Sequence, residues 1–376
     1  MATIQKRVSK RTGKVKWRAD YMDASGTRRA KTFDTKGEAS EWLTSTQHQL
    51  KTGVHTPDST SVSFTEAARL FIQRASRDKL ERSTIRQYKT HLDLHLLPDL
   101  GSMKLSRMTT PMLEGFIDEL EQAGRSRAMI CKLLTTLRSV LSEAQRRGLI
   151  AQNVALAVKR RPNNRRNGHT ALPTKEELNA IITHVEGRWR PLLLTLLFTG
   201  IRSSEARGLS WDDIDLERGV LQVRRRADRW NELGAPKSKA GCRTIPLAPM
   251  LRKELESWRL SFPRGDLNLV FPNGAGNIET LANIHRRGFA PLLKRLGIVD
   301  QKGKHRFRIH DLRHAAASLL IEEGWSPKKI QTVLGHSSIQ MTYDTYEHLW
   351  DDHAADQDGI ARIEQRLRNG SSSLPN

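Results

Sequence analysis

The chain has 376 residues, with 63 Lys and Arg against 41 Asp and Glu, so its formal charge of +22 favours a polyanionic partner, nucleic acid first. Its length suits two or three domains, and 37% hydrophobic with 28% charged residues excludes wholesale disorder. The longest apolar run, Pro191–Phe198, is too short to span a bilayer, and Met1–Lys16 has no apolar stretch behind it, so neither a membrane span nor a secretory signal is expected. Cys131 and Cys242 alone build neither a disulfide framework nor a zinc finger, which points to a reducing, cytoplasmic setting.

Trp17, Ala19 and Tyr21 alternate with Lys16, Arg18 and Asp20, the period of a strand with one buried and one wet face. A turn at Asp23–Gly26 leads into a second strand over Arg28–Phe33. Thr35 and Glu38 then form a capping box ahead of Ala39, Trp42 and Leu43. This first module, residues 1–55, is strongly basic, and a sheet with a cationic face fits a DNA groove. Gly53–Ser61 reads as a turn-rich linker.

Residues 62–156 read as a four- or five-helix bundle. Ser63 and Glu66 make a second capping box before Phe64, Ala67, Ala68, Phe71 and Ile72; Thr110-Pro111 opens a helix that runs to Gly124. Ser126 opens another, with Ile130, Leu133, Leu134, Leu137 and Leu141 as its stripe, ending at Gly148. Residues 159–168 carry five cations and no acid, a tether suited to lying along a phosphate backbone. Residues 170–350 form a mixed α+β domain with strands at Gly219–Arg224 and Arg243–Leu247. The tail, 351–376, begins with an acidic stretch and ends in a short amphipathic one. The class expected is therefore mainly α with small β elements.

Four segments of the third domain carry chemistry. In Thr199-Gly200-Ile201-Arg202, one helix stops and another begins, placing Arg202 at a helix N-terminus, which suits an anion. Lys237 and Lys239 share a cationic loop that leads into a strand. His310 and Arg313 stand three apart on one helix face. Gly335 stops the helix opened by Ser326-Pro327, so His336 follows a marked boundary, ten residues before Tyr346. Two arginines, two histidines, a lysine and a tyrosine suit phosphoryl transfer without a metal or nucleotide cofactor. The guanidiniums neutralise the transition state, the tyrosine attacks, and the lysine protonates the leaving oxygen. His310 and His314 have helical metal-ligand spacing, but Arg313 sits between them and a metal is not expected.

In order, Arg202, Lys237, His310, Arg313, His336 and Tyr346 resemble the Arg…Lys…His-x-x-Arg…His…Tyr pattern of the tyrosine recombinases, and most closely of their phage-type integrases. Thr-Gly-x-Arg-x-x-Glu, His-x-Leu-Arg-His, Leu-Gly-His-Ser-Ser and Thr-Tyr-Asp-Thr-Tyr match as well, over about residues 62–350; residues 1–55 resemble the arm-binding module more loosely. The resemblance implies an arm-binding module, a core-binding bundle and a catalytic domain that clamp double-stranded DNA at arm and core sites. It implies a covalent 3′-phosphotyrosyl intermediate, strand exchange in a homotetramer, and integration or excision of a mobile element. A DNA-bending accessory protein and an excision factor would be partners, with the protein cytoplasmic at the nucleoid. Tyr343 competes with Tyr346 as nucleophile, though only Tyr346 stands in the Tyr-x-His word with His348; Lys239 competes with Lys237, and Glu205 is read as orienting Arg202 or a histidine. The alternatives are a type IB topoisomerase-like activity, which has no use for a separate basic module, and a catalytically idle DNA-binding protein, which has no use for the six residues.

Overall fold

The alternation around Trp17 builds the middle of a three-stranded antiparallel sheet, β1 (Thr3–Val8), β2 (Val15–Met22) and β3 (Arg28–Phe33). The computed structural model describes residues 2–8, 13–23, 26–53, 55–159 and 172–346. Ala19 and Tyr21 are buried against Ala39 and Leu43 of α1 (Lys36–Lys51), whose capping box is formed by Thr35 and Glu38. Asp20, expected on the wet face, is 2% exposed. Arg18 donates to its carboxylate at 2.9 Å and Arg28 lies 3.5 Å away, so paired charge permits its burial. β1, not expected, pairs with β2 from Thr3↔Asp20 to Val8↔Val15.

The bundle comprises α2 (Phe64–Arg77), α3 (Arg82–His91), a π-helical turn at Leu92–Leu96 running into α4 (Leu97–Leu100), α5 (Thr110–Gln122) and α6 (Arg127–Arg146). The α6 stripe lies in the core with Phe64, Leu96 and Leu113; each such side chain stabilises by about 1.5–3 kcal/mol. Glu143 of α6 is buried too, held by Arg74 of α2 and by Arg146 and Arg147. Two caps differ from expectation. Thr109, not Thr110, caps α5, and Ser63 accepts from the Glu66 N–H while the Glu66 carboxylate turns to Arg69, leaving half a box. The linker is docked on both sides. His55 meets the Tyr21 hydroxyl at 2.8 Å, Arg29 donates to Ser59 at 3.0 Å, and Asp58 accepts from Ser106 at 2.7 Å and from Arg107 at 3.1 Å. Sheet, strap and bundle accordingly fall within one compact unit, 1–164.

The second unit, 165–376, opens with α7 (Lys175–His184) and α8 (Trp189–Thr199). Leucines occupy most of α8, which is buried from Pro191 to Thr199 except at Phe198, with α10 (Pro249–Ser261) and α13 (Asp311–Glu322) packed against it. Between them come α9 (Ser203–Gly208), β4 (Ile214–Asp215), β5 (Val220–Val223), β6 (Arg226–Ala227), β7 (Leu233–Gly234) and β8 (Arg243–Pro246). The two expected strands pair antiparallel, Val220↔Pro246 to Val223↔Arg243, and their connection forms the separate β6–β7 ribbon. Next are α11 (Leu281–Asn283), a π-helical turn at Ile284–Phe289 and α12 (Ala290–Arg295); α14 (Pro327–Leu334) and α15 (Ile339–Tyr346) follow α13. The mainly α, α+β class thus holds. Arg160–Gly168 of the cationic tether and the tail 351–376 lie outside the described residues, and among those described no helix is long and apolar enough to cross a membrane.

Candidate active site

Two helix stops set the frame. Gly200 ends α8 at φ 62°, where a Cβ would come within 2.8 Å of Leu334, and Gly335 ends α14 at φ 65°, where a Cβ would meet Arg243 and the Ala240 carbonyl. These close approaches bring the two turns together. Arg313, from α13, bridges them by donating to the Gly200 carbonyl at 2.7 Å and the Leu334 carbonyl at 2.6 Å. Arg202, at the N-cap of α9, donates to the Gly335 carbonyl at 3.2 Å and to Glu205 at 2.9 Å. Both guanidiniums therefore hang on the Leu334–Gly335 turn. They differ in access, since Arg202 keeps about a third of its side chain exposed while Arg313 is 3% exposed. A buried cation acts through its field, undiminished by water.

Glu205, 2% exposed, anchors this arrangement. Burial pushes its pKa up, but the hydrogen bond and charge of Arg243, with the Arg202 N–H and guanidinium, outweigh it and hold the carboxyl ionised.

His336 follows Gly335. Its ring Nδ1 lies 2.8 Å from the hydroxyl of Thr342, which is fully buried on α15. Burial is the largest cause lowering its pKa to about 4, and the charges of Arg313 and Arg202 act in the same direction. His310 caps the start of α13 with its ring 5.0 Å from that of His314, edge to face. Desolvation by the surrounding protein leads the causes that lower it to about 4, joined by His314 and Arg313, although the residue retains a solvent-exposed edge. At neutral pH both imidazoles are uncharged, the form that accepts a proton.

Lys237 lines a cavity of about 260 Å³ together with Arg202, Ser204, Arg226, Ser337 and Met341. Lys239 instead opens the short 3₁₀ turn Lys239–Gly241. Met341 brings α15 to this cavity, and Tyr346 is its last residue, one turn beyond Thr342. The Tyr346 side chain and His348 lie outside the described part of the structure, while Tyr343 is 39% exposed. The structure thus gathers Arg202, Lys237, Arg313, His310 and His336 around two turns and puts the helix bearing Tyr346 beside them. Among the described residues, no group of three His, Cys, Asp or Glu side chains is arranged to hold a metal. Sequence reasoning missed Arg226 and Thr342 in this setting, and it left Arg243 without a role although strand alternation puts Arg243 and Ile245 on the buried face of β8.

Residues 173–353 match the phage integrase family, and residues 63–121 match the phage integrase N-terminal SAM-like domain. A XerC-like tyrosine recombinase of Caldanaerobacter subterraneus subsp. tengcongensis is 27% identical over 280 residues, 67% of this chain and 70% of the relative. A prophage phiRv2 integrase of Mycobacterium tuberculosis is 27% identical over 360 residues, 90% of this chain and 92% of that one. Among solved structures, the Tn1549 transposon integrase in complex with a circular-intermediate DNA superposes with a TM-score of 0.68 at 19% identity, covering 79% of this chain and 99% of that one. A lambda integrase dimer bound to a core site gives 0.60 at 18% identity, covering 92% and 94%. At such identities the superpositions establish a shared fold.

Proposed function

Because the chain belongs to the phage integrase family of tyrosine recombinases, enzymes that cleave and rejoin DNA through a tyrosine, we propose that Arg202, Lys237, His310, Arg313, His336 and Tyr346 form its strand-transfer site. In this reading the Tyr346 phenolic oxygen attacks a DNA phosphorus and the P–O5′ bond breaks, leaving a 3′-phosphotyrosyl linkage. The phenolic proton passes to a neutral histidine, His310 or His336, whose pKa rises as phosphate charge arrives beside it. Lys237 gives a proton to the departing 5′-oxygen. Rejoining is the reverse reaction with a new 5′-hydroxyl. The phosphoester energy is retained in the intermediate, so the cycle consumes no nucleotide. Arg202 contacts the phosphate directly and Arg313 stabilises the added charge from beneath.

The observation that carries this reading is the pair of guanidiniums fastened to adjacent carbonyls, Leu334 and Gly335, with His336 next in the chain and His310 at the start of the helix that bears Arg313. Double-stranded DNA is the partner that the +22 charge and the related DNA complexes favour. Core sites would be held by the bundle and the second unit, distal arm sites by residues 1–55, and synapsis would join four copies, as in the lambda integrase tetramer bound to a Holliday junction. Integration or excision of a mobile element would be the outcome.

A nicked suicide duplex carrying the core site tests the reading, because loss of the short fragment traps the covalent adduct. The adduct should form equally with and without EDTA, since the arginines supply the charge. A gel shift with no adduct would identify a DNA-binding protein, and strict Mg²⁺ dependence would refute the proposed mechanism.

A further inference from the structure

Arg243 lies at the junction of the elements that carry the site. Its side chain is 2% exposed, and its three kinds of N–H are engaged. Nη2 donates to Glu205 Oε2 at 2.8 Å, Nη1 to the Gly241 carbonyl at 2.8 Å, and Nε to the Val333 carbonyl at 2.5 Å. Each acceptor belongs to a segment bearing a different site residue. Glu205 holds the Arg202 guanidinium and also accepts from the Arg202 main-chain N–H at 2.9 Å. Gly241 closes the turn that follows Lys237, and Val333 lies in the last turn of α14, just ahead of His336. The missing Cβ of Gly335 makes room for this guanidinium, since a Cβ there would sit 2.8 Å from Nη1.

Stability alone does not account for such a residue. A buried ion pair has to offset the dehydration of both charges, and an apolar pair of equal volume is often as stable or more so. Orientation is what the apolar pair lacks: a planar guanidinium with fixed donors sets three acceptors in one geometry. Within the recombinase reading, on which this inference rests, we propose that Arg243 is a positioning residue, setting Arg202 through Glu205 and tying the Lys237 loop and the His336 turn to that same anchor.

The full-length chain tests this through single-turnover adduct formation on the suicide duplex at saturating protein, with the core-site Kd measured in parallel. Arg243→Met should slow adduct formation about 10²-fold, the usual cost of misplacing a site by about 1 Å, while Kd stays within about threefold. Arg243→Lys should recover less than about a tenth of the lost rate, because one ammonium cannot reproduce the planar fork. The part of its effect that runs through Arg202 is lost once Arg202 is altered, so the losses from Arg243→Met and Arg202→Lys should combine to clearly less than their product.

Adduct formation within threefold of the parent, a loss that multiplies in full on the Arg202→Lys background, or parallel losses in rate and Kd would each overturn the proposal. If Arg243→Met does not fold, Arg243→Gln carries the same test, since its amide keeps a donor in the buried site but loses the charge and the planar fork; its expected and overturning results are the same. Failure of the parent to form adduct would instead refute the recombinase reading, a result separable from any behaviour of Arg243.

Discussion

His336 should make the second unit acid-labile, by an amount set by its burial. The residue is 6% exposed, and its pKa is lowered from the ordinary 6.5 to about 4. A lowered histidine pKa means that the unfolded chain binds the proton first as pH falls, so stability is intact above about pH 6.5 and is lost progressively toward pH 4. At pH 5 the unfolded imidazole is almost fully charged and the folded one mostly neutral, which costs about 2 kcal/mol, approaching about 3 kcal/mol below pH 4. The perturbation is His336→Gln, whose amide retains a hydrogen-bonding partner for Thr342 without a titrating group. Trp211 is buried in the second unit's core and Trp189 and Trp258 pack against it, so in a chain with Trp17 and Trp42 of the first unit replaced by Phe, intrinsic fluorescence follows the second unit's urea unfolding. Between pH 7.5 and pH 5 the parent should lose about 2 kcal/mol more than His336→Gln, His310 and His314 contributing equally to both proteins. Parallel losses, within about 0.5 kcal/mol, would show that His336 titrates normally and would refute the argument from burial.

Lys237→Ala should slow cleavage of an ordinary substrate by about 10²–10⁴-fold but cleave a 5′-phosphorothiolate at near the parent rate, because a thiolate departs without a proton. Rescue of Lys239→Ala in its place would exchange the roles of the two lysines. In the first unit, Glu143→Gln should destabilise the bundle by about 1–3 kcal/mol, since it withdraws the charge addressed by Arg74, Arg146 and Arg147, and hydrogen exchange of α6 amides will report it. Unchanged exchange would show that those arginines are as well satisfied by water. A chain lacking residues 1–54 keeps Asp58 docked on the bundle and should cleave isolated core sites normally while failing on substrates that require distal arm sites; equal recombination of both substrates would remove the arm-binding role.

Much of this was legible because short-range chemistry dictates it. Gly200 and Gly335 had to be helix stops, and the residues around them, Arg202 and His336, are therefore held at turns rather than within helices. The leucine stripe of α6 and the capping box of α1 are likewise local. What escaped depends on partners far along the chain. β1 is mostly exposed and has no clear alternation, so only its register with β2 defines it as a strand. Asp20 looks like a surface acid until Arg18 and Arg28 close on it. Gly53–Ser61 has a linker's composition whether it is tethered or docked, and the docking resides in Tyr21, Arg29, Ser106 and Arg107. Thr109 and Thr110 are equivalent caps on paper, and a one-residue difference in backbone geometry selects Thr109. Arg243 presents only an inward strand position, and its three acceptors come from segments up to 90 residues away.

On the proposed mechanism the DNA is carried by Tyr346. The covalent adduct trapped on a suicide duplex, digested with protease and nuclease and sequenced by tandem mass spectrometry, names the linked residue and the DNA end at once. The expected product is a nucleotide joined through its 3′-phosphate to Tyr346, with a free 5′-hydroxyl on the released strand and no adduct from Tyr346→Phe. A nucleotide on Tyr343, or a linkage through a 5′-phosphate, would contradict it.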